Sequence, residues 1–217
     1  MKRILAIALL ALFAVAFPLA AEDSKADVSY ALGMLLAQSV KGSYIEVDVD
    51  SLVAGIKAGM GSGKTKFTEA QANSIVQTAA QNAYTKKSAD NLKTGKAYLE
   101  NNKKKSSVKT TASGLQYEVI KEGSSQKPKA TDTVTVNYEG KLISGEVFDS
   151  SIARGQPATF SLGGVIKGWT EGLQLMGVGA KYRFYIPAEL AYGSQGAGTI
   201  GPNEVLIFEI ELISIGK

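Results

Sequence analysis

The stretch Val134-Thr135-Val136-Asn137-Tyr138-Glu139-Gly140 alternates apolar and polar side chains along its first six residues, the period-2 signature of a strand with one buried face. A second run with the same alternation lies near the end of the chain, where Leu206, Phe208, Ile210 and Leu212 share a face. Gly and Pro punctuate the segments between the two runs, and only Val165 to Leu175 reads as helical. From about Thr110 onward the spacing therefore predicts an antiparallel sheet wrapped on one short helix.

Upstream of Thr110 the period changes from 2 to 3.6. Val28, Leu32, Leu35 and Leu36 recur at threes and fours, and so do Leu52, Val53 and Ile56 after Asp48-Val49-Asp50. A third helix is expected to start at the Thr-x-x-Gln capping box of Thr68 and Gln71, in which each side chain satisfies a backbone N–H near the other. Its apolar stripe runs through Ala72, Ile75, Val76, Ala79, Ala80, Ala83 and Tyr84, and from Thr68 onward no Pro interrupts the chain until Pro128. If continuous to Lys104 it would be about 55 Å long at about 1.5 Å per residue. Two short helices and one overlong one bury little surface alone, so this half is expected to complete its core with a second copy of itself. Gly95 reads as a weak point in the long helix, costing about 1 kcal/mol relative to Ala. Gly59 to Thr65 resembles a phosphate loop superficially, but Ala58 stands where the first Gly belongs and no strand precedes it, so a Gly-rich turn is the better reading.

The chain has 217 residues, no Cys and no His. Thiol nucleophiles, serine–histidine mechanisms and the usual zinc, copper and haem ligands are thereby excluded. No metal or cofactor is expected. Chemistry must run on carboxylates, Lys, Tyr, backbone dipoles, or the shape and dryness of a pocket.

Lys2 and Arg3, an apolar run from Ile4 to Phe17, and small residues ending at Ala20-Ala21 have the layout of a secretory signal peptide. The apolar run is shorter than the about 20 residues a membrane span needs, so no stable membrane anchor is expected. Residues 22–106 hold twelve basic and nine acidic groups, and 107–217 hold ten and eleven. The mature protein is thus nearly neutral, and Lys103-Lys104-Lys105 lacks interleaved aromatics, which argues against nucleic acid as a partner. Three segments are expected: a signal peptide at 1–21, a helical dimerisation domain at 22–106, and a β-rich domain at 107–217. The destination is export, to the periplasm, with the outer membrane or cell surface as further addresses.

Five motifs carry a family resemblance: Val136-Asn137-Tyr138-Glu139-Gly140, Gly145 to Ser151, Val165-Ile166-Lys167-Gly168-Trp169, Ile186-Pro187 and Ala191-Tyr192-Gly193. Their order and spacing resemble those of FKBP-type peptidyl-prolyl cis-trans isomerases, over about Thr110 to Ile215. The helical half, with Tyr30-Ala31-Leu32-Gly33 and Ser113-Gly114-Leu115-Gln116-Tyr117, resembles the exported macrophage-infectivity-potentiator subgroup. The fold the resemblance implies is α+β: a helical N-terminal dimerisation domain, a long connecting helix, then an antiparallel sheet wrapped on a short α-helix.

The resemblance also implies a site. Tyr138, Phe148, Asp149 and Tyr192 would be catalytic, and Arg154, Val165, Ile166, Trp169, Ile200 and Phe208 would bind substrate. Trp169 would be the pocket floor, Asp149 would pair with Arg154 at the rim, the Ile166 N–H would hold a substrate carbonyl, and Gly193 to Asn203 would form a flap. Ala158 departs from the family, standing where many members have a pocket phenylalanine; Leu190 replaces a common tyrosine, and the flap is one residue shorter. The implied partners are unfolded or proline-containing polypeptides, macrolides such as rapamycin or tacrolimus, and a second copy in a homodimer. The implied activity is isomerisation of X-Pro bonds in exported proteins; the alternative is a dimeric holdase that grips extended segments with little isomerase activity.

Overall fold

The computed structural model describes residues 24–61 and 64–216, so the expected signal peptide and part of the Gly-rich turn lie outside the described residues. The chain divides into two compact units between Ser39 and Val40, inside helix α1 (Lys25–Gly42). In the first unit Ser24 caps α1, its Oγ accepting from Asp27 N at 3.1 Å. The apolar residues that the spacing places on this helix, among them Val28, Leu32 and Leu35, are exposed.

In the second unit Asp48 caps α2 (Val49–Met60) by accepting from Ser51 N at 2.8 Å. The capping box expected at Thr68 and Gln71 is present in full and starts α3 (Glu69–Asn102), a single helix of 34 residues. Its far end is tied down by polar contacts: Asn102 Nδ2 donates to Gln116 Oε1 at 3.0 Å, and Gln116 Nε2 donates to Leu99 O at 3.0 Å. Gly95 is buried against the chain beyond, where an added Cβ would stand 2.8 Å from Val205 Cγ2. The residue read as a weak point is therefore a contact point, and its missing side chain is what lets the helix close on Val205.

Seven strands follow: β1 (Val108–Thr110), β2 (Gln116–Lys121), β3 (Thr133–Leu142), β4 (Val147–Ser150), β5 (Ala158–Ser161), β6 (Lys181–Ile186) and β7 (Leu206–Gly216). All pair antiparallel in the order β1-β2-β6-β7-β3-β4, with β5 on the first half of β3. Along β3 every second residue is buried, from Val134 through Val136, Tyr138 and Gly140 to Leu142, as the alternation predicts. Leu206, Phe208, Ile210 and Leu212 of β7 face the same core. Against this face packs α4 (Lys167–Leu173), a turn shorter than the apolar run suggests, burying Trp169 and Leu173. Each such side chain taken out of water stabilises the fold by roughly 1.5–3 kcal/mol.

Candidate active site

Gly140 faces inward on β3 opposite Phe208 of β7. With no side chain there, the rings of Phe208 and Phe148 close over the strand and meet edge to face, their centroids 5.4 Å apart. Phe148 reaches this position through a bulge: Asp149 pairs with Gly140 and Val147 with Lys141, leaving Phe148 as the extra residue. Strict alternation would send Phe148 and Asp149 to opposite faces of β4. The bulge allows both to border one cavity.

That cavity, of about 640 Å³, opens between the sheet, α4 and the segment 193–203. Trp169 is 5% exposed and forms part of its lining, met edge to face by Tyr138 at 5.1 Å, Phe208 at 5.1 Å and Phe160 at 5.3 Å. Such perpendicular pairs lock ring orientation as well as exclude water. Val165 and Ile166, at the approach to α4, supply an aliphatic wall. Tyr192 and Ile200 line the opposite side.

One polar cluster sits at the rim. The Tyr138 hydroxyl donates a short hydrogen bond to Asp149 Oδ2, and Arg154 Nη1 donates to Asp149 Oδ1. Arg154 Nη2 closes the triangle on the Tyr138 oxygen at 2.8 Å. Burial raises the pKa of the Tyr138 hydroxyl, and its bond to Asp149 adds to that rise. Burial also opposes ionisation of Asp149, but the hydrogen bonds from Tyr138 and Arg154, with the guanidinium charge, outweigh it and hold the carboxyl below its ordinary value. The loop that brings Arg154 back is fastened by Ser151, whose Oγ accepts from Tyr138 N at 2.9 Å and whose N–H donates to Tyr138 O at 3.0 Å.

Nine of the ten residues expected at the site line the cavity: Tyr138, Phe148, Asp149, Val165, Ile166, Trp169, Tyr192, Ile200 and Phe208. Arg154 stands outside the lining and acts on it through Asp149 and Tyr138. Phe160 also lines the cavity and was not among the expected residues, although alternation along Ala158-Thr159-Phe160 puts it on the face of Ala158. Ala158 itself packs on the core beside the cavity. Among the described residues no cluster of three or more acidic side chains is placed to hold a metal ion.

The result is an aromatic cavity with one charged cluster at its rim, cut into a sheet wrapped on a short helix. The comparisons with known proteins name the class. Residues 124–213 match FKBP-type peptidyl-prolyl cis-trans isomerase, and residues 25–119 match the domain amino terminal to that isomerase. The chain is 44% identical over 206 residues to the FKBP-type peptidyl-prolyl cis-trans isomerase FkpA of Aeromonas hydrophila, covering 90% of this chain and 76% of the relative. It is 42% identical over 201 residues to the outer membrane protein MIP of Legionella longbeachae, covering 89% and 86%. The crystal structure of FkpA from Escherichia coli matches with a TM-score of 0.69 at 39% identity, over 90% of this chain and 99% of that one. The chain belongs to the FKBP-type peptidyl-prolyl cis-trans isomerases.

Proposed function

We propose that the pocket over Trp169 takes the proline ring of an X-Pro segment and lowers the barrier to rotation about the preceding amide by desolvation. The observation that carries this reading is the set of three aromatic rings standing edge to face on Trp169 at 5.1–5.3 Å, with ionised Asp149 confined to the rim. Rotation must break amide resonance against a barrier of about 18–20 kcal/mol. The twisted amide is less polarised than the planar one, so stripping water from its carbonyl penalises the ground state more than the transition state. No proton need move. Tyr138, Phe148, Asp149 and Tyr192 border the twisting bond in this reading, and Ile166 N–H, Val165, Ile200 and Phe208 hold the flanking chain.

The setting we propose is an exported homodimer that assists the folding of other exported proteins. The basic and then apolar start of the chain supports export, as does the likeness to a relative named an outer membrane protein. Dimerisation is supported by apolar side chains that one copy leaves in water: Leu35 on α1 is 64% exposed and Met60 on α2 is 85% exposed, and neither helix has a buried residue.

The test is a protease-coupled or NMR exchange assay on an X-Pro peptide with wild type, Asp149→Ala and Tyr192→Phe. Wild type should accelerate exchange and both variants should slow it with the fold intact. No acceleration at micromolar enzyme would leave grip on extended segments as the sole activity and overturn the catalytic reading; wild-type rates in both variants would overturn the rim.

A further inference from the structure

The segment 193–203 is a wall with space on both faces. Ala197, Gly198 and Ile200 border the aromatic cavity on one side, and on the other they border a second cleft of about 690 Å³ against Tyr44 and α3. Gly193, Gly196 and Gly198 all hold positive φ, and the tip is closed only by the paired bonds between Ala197 and Ile200, each 2.9 Å. The loop is rich in glycine and has cavities before and behind it; within the segment, Ile200 is anchored in the core at 9% exposure and the Asn203 N–H donates to Gly193 O at 2.9 Å, leaving residues 193–199 with little packing of their own.

Helix α3 holds both ends as well. At one end the Tyr84 hydroxyl donates to Ser194 O at 2.6 Å. At the other, Asn91 Nδ2 donates to Pro202 O and to Glu204 Oε1, both at 2.8 Å, and Asn203 Nδ2 donates to Ser88 Oγ at 2.8 Å. Tyr84, Ser88 and Asn91 recur at four and three residues, so one face of one helix reaches both ends of the segment. Asn203 takes the left-handed φ of 53° that brings its amide to Ser88. Tyr44 braces the same end from behind: it holds φ 59°, rare for a bulky residue, and its hydroxyl fits beside Gly201 where a Cβ would come within 2.9 Å.

We propose that Tyr84, Ser88 and Asn91 are positioning residues of the prolyl site. They hold the flap, and with it Ile200, at the spacing the substrate chain requires, so that part of the isomerase's substrate affinity resides in a helix outside the catalytic sheet. This rests on the reading of the aromatic cavity as the prolyl pocket. Releasing a tether leaves the aromatic basin and the rim untouched and adds the cost of ordering the flap to each binding event.

The full chain is assayed as Tyr84→Phe, Asn91→Ala and the double variant. KM should rise about fivefold for each lost tether and multiply in the double variant, with kcat within about twofold of wild type, the signature of lost binding that is equal in ground and transition states. Amide hydrogen exchange at Ala197 and Ile200 should quicken, Ser88→Ala should raise KM, and Ser88→Thr, which keeps an acceptor oxygen for Asn203, should restore it. Tyr84→Phe keeps the ring and tests the idea alone should the double variant not fold. Unchanged KM with unchanged flap exchange overturns the proposal, as does a parallel fall of kcat and thermal stability. Asp149→Ala in the same assay separates the two readings: if it is silent the pocket is misassigned, and if it is slow while the α3 variants are silent the tethers alone are refuted.

Discussion

Gly140→Ala tests whether the aromatic cavity is the working part of the molecule. A methyl at this position would stand 2.6 Å from Phe208 Cε1 and 2.7 Å from Phe148 Cε2 and Cζ. Carbon atoms in ordinary contact keep about 3.5–4.0 Å, so each ring must retreat by about 1 Å. In a closed core such overpacking costs about 1–3 kcal/mol. Here both rings border a cavity of about 640 Å³ and can yield into it. The stability cost should therefore fall at the lower end, about 1 kcal/mol, or about 3 °C in melting temperature for a chain of this size. The displaced rings then occupy the volume meant for the prolyl ring, and kcat/KM should drop by about tenfold or more, which is about 1.4 kcal/mol of transition-state binding.

Gly172→Ala provides the contrast. Its methyl would meet Phe184 Cε1 at 2.6 Å, and Phe184 is 1% exposed in the closed core. Phe184 has no cavity to yield into, so the overpacking cost should fall at the upper end, about 3 kcal/mol; the helix propensity of Ala, about 1 kcal/mol better than Gly, offsets it only in part, and stability should fall by about 2 kcal/mol while kcat/KM stays near wild type. Urea denaturation and the peptide assay, run on both variants, read the two quantities separately. The reasoning is refuted if Gly140→Ala loses stability and keeps its turnover, or if Gly172→Ala is the variant that loses activity.

Three further outcomes are expected. Tyr185 donates to Glu118 at 2.6 Å, and burial, then this bond, push its hydroxyl up to about 12; because the folded value lies above the ordinary 10.0, its contribution to stability is complete below pH 10 and lost as pH rises through about 12. Ultraviolet titration should resolve a group of late tyrosines, which burial raises at Tyr44, Tyr98, Tyr138 and Tyr182 as well, and Tyr185→Phe should remove one of them; a full set titrating near the ordinary value would contradict the burial. Trp169 is the single tryptophan, so rapamycin entering the pocket should perturb its fluorescence, and an unchanged spectrum at saturating ligand would remove it from the floor. Leu35→Glu should halve the mass seen by sedimentation while short peptides still turn over; a dimer that persists would move the interface off α1.

The elements with strong periodicity were readable from the sequence because each is set by local chemistry. Thr68 and Gln71 mark the start of α3 by satisfying each other's backbone, and Val134, Val136 and Tyr138 announce β3 by alternation alone. The candidate site was legible only through the joint order and spacing of the motifs that carry the family resemblance, and nine of the ten residues it implies line one cavity. What lay beyond the sequence depended on tertiary register. The extra residue at Phe148 breaks the alternation that would have separated it from Asp149, and a bulge leaves no composition signal. Tyr84, Ser88 and Asn91 look like the ordinary mixed surface of a helix until the chain more than a hundred residues later comes to rest on them. Gly95 had the same ambiguity, since a helix glycine reads as a defect whether or not a neighbour such as Val205 needs the room.

The rim triangle of Tyr138, Asp149 and Arg154 has one more consequence. Its carboxyl is held below the usual range and its phenol above it, so the cluster has no proton to gain or lose across the moderate range of acidity. The chain contains no imidazole and no thiol either. In the exported setting proposed above, acidity and oxidants follow the surroundings rather than the metabolism of the cell. On the catalytic reading proposed above, a pocket whose polar groups are committed to one charge state and whose remaining lining is hydrocarbon and aromatic should hold its rate under conditions that would titrate a histidine or oxidise a cysteine.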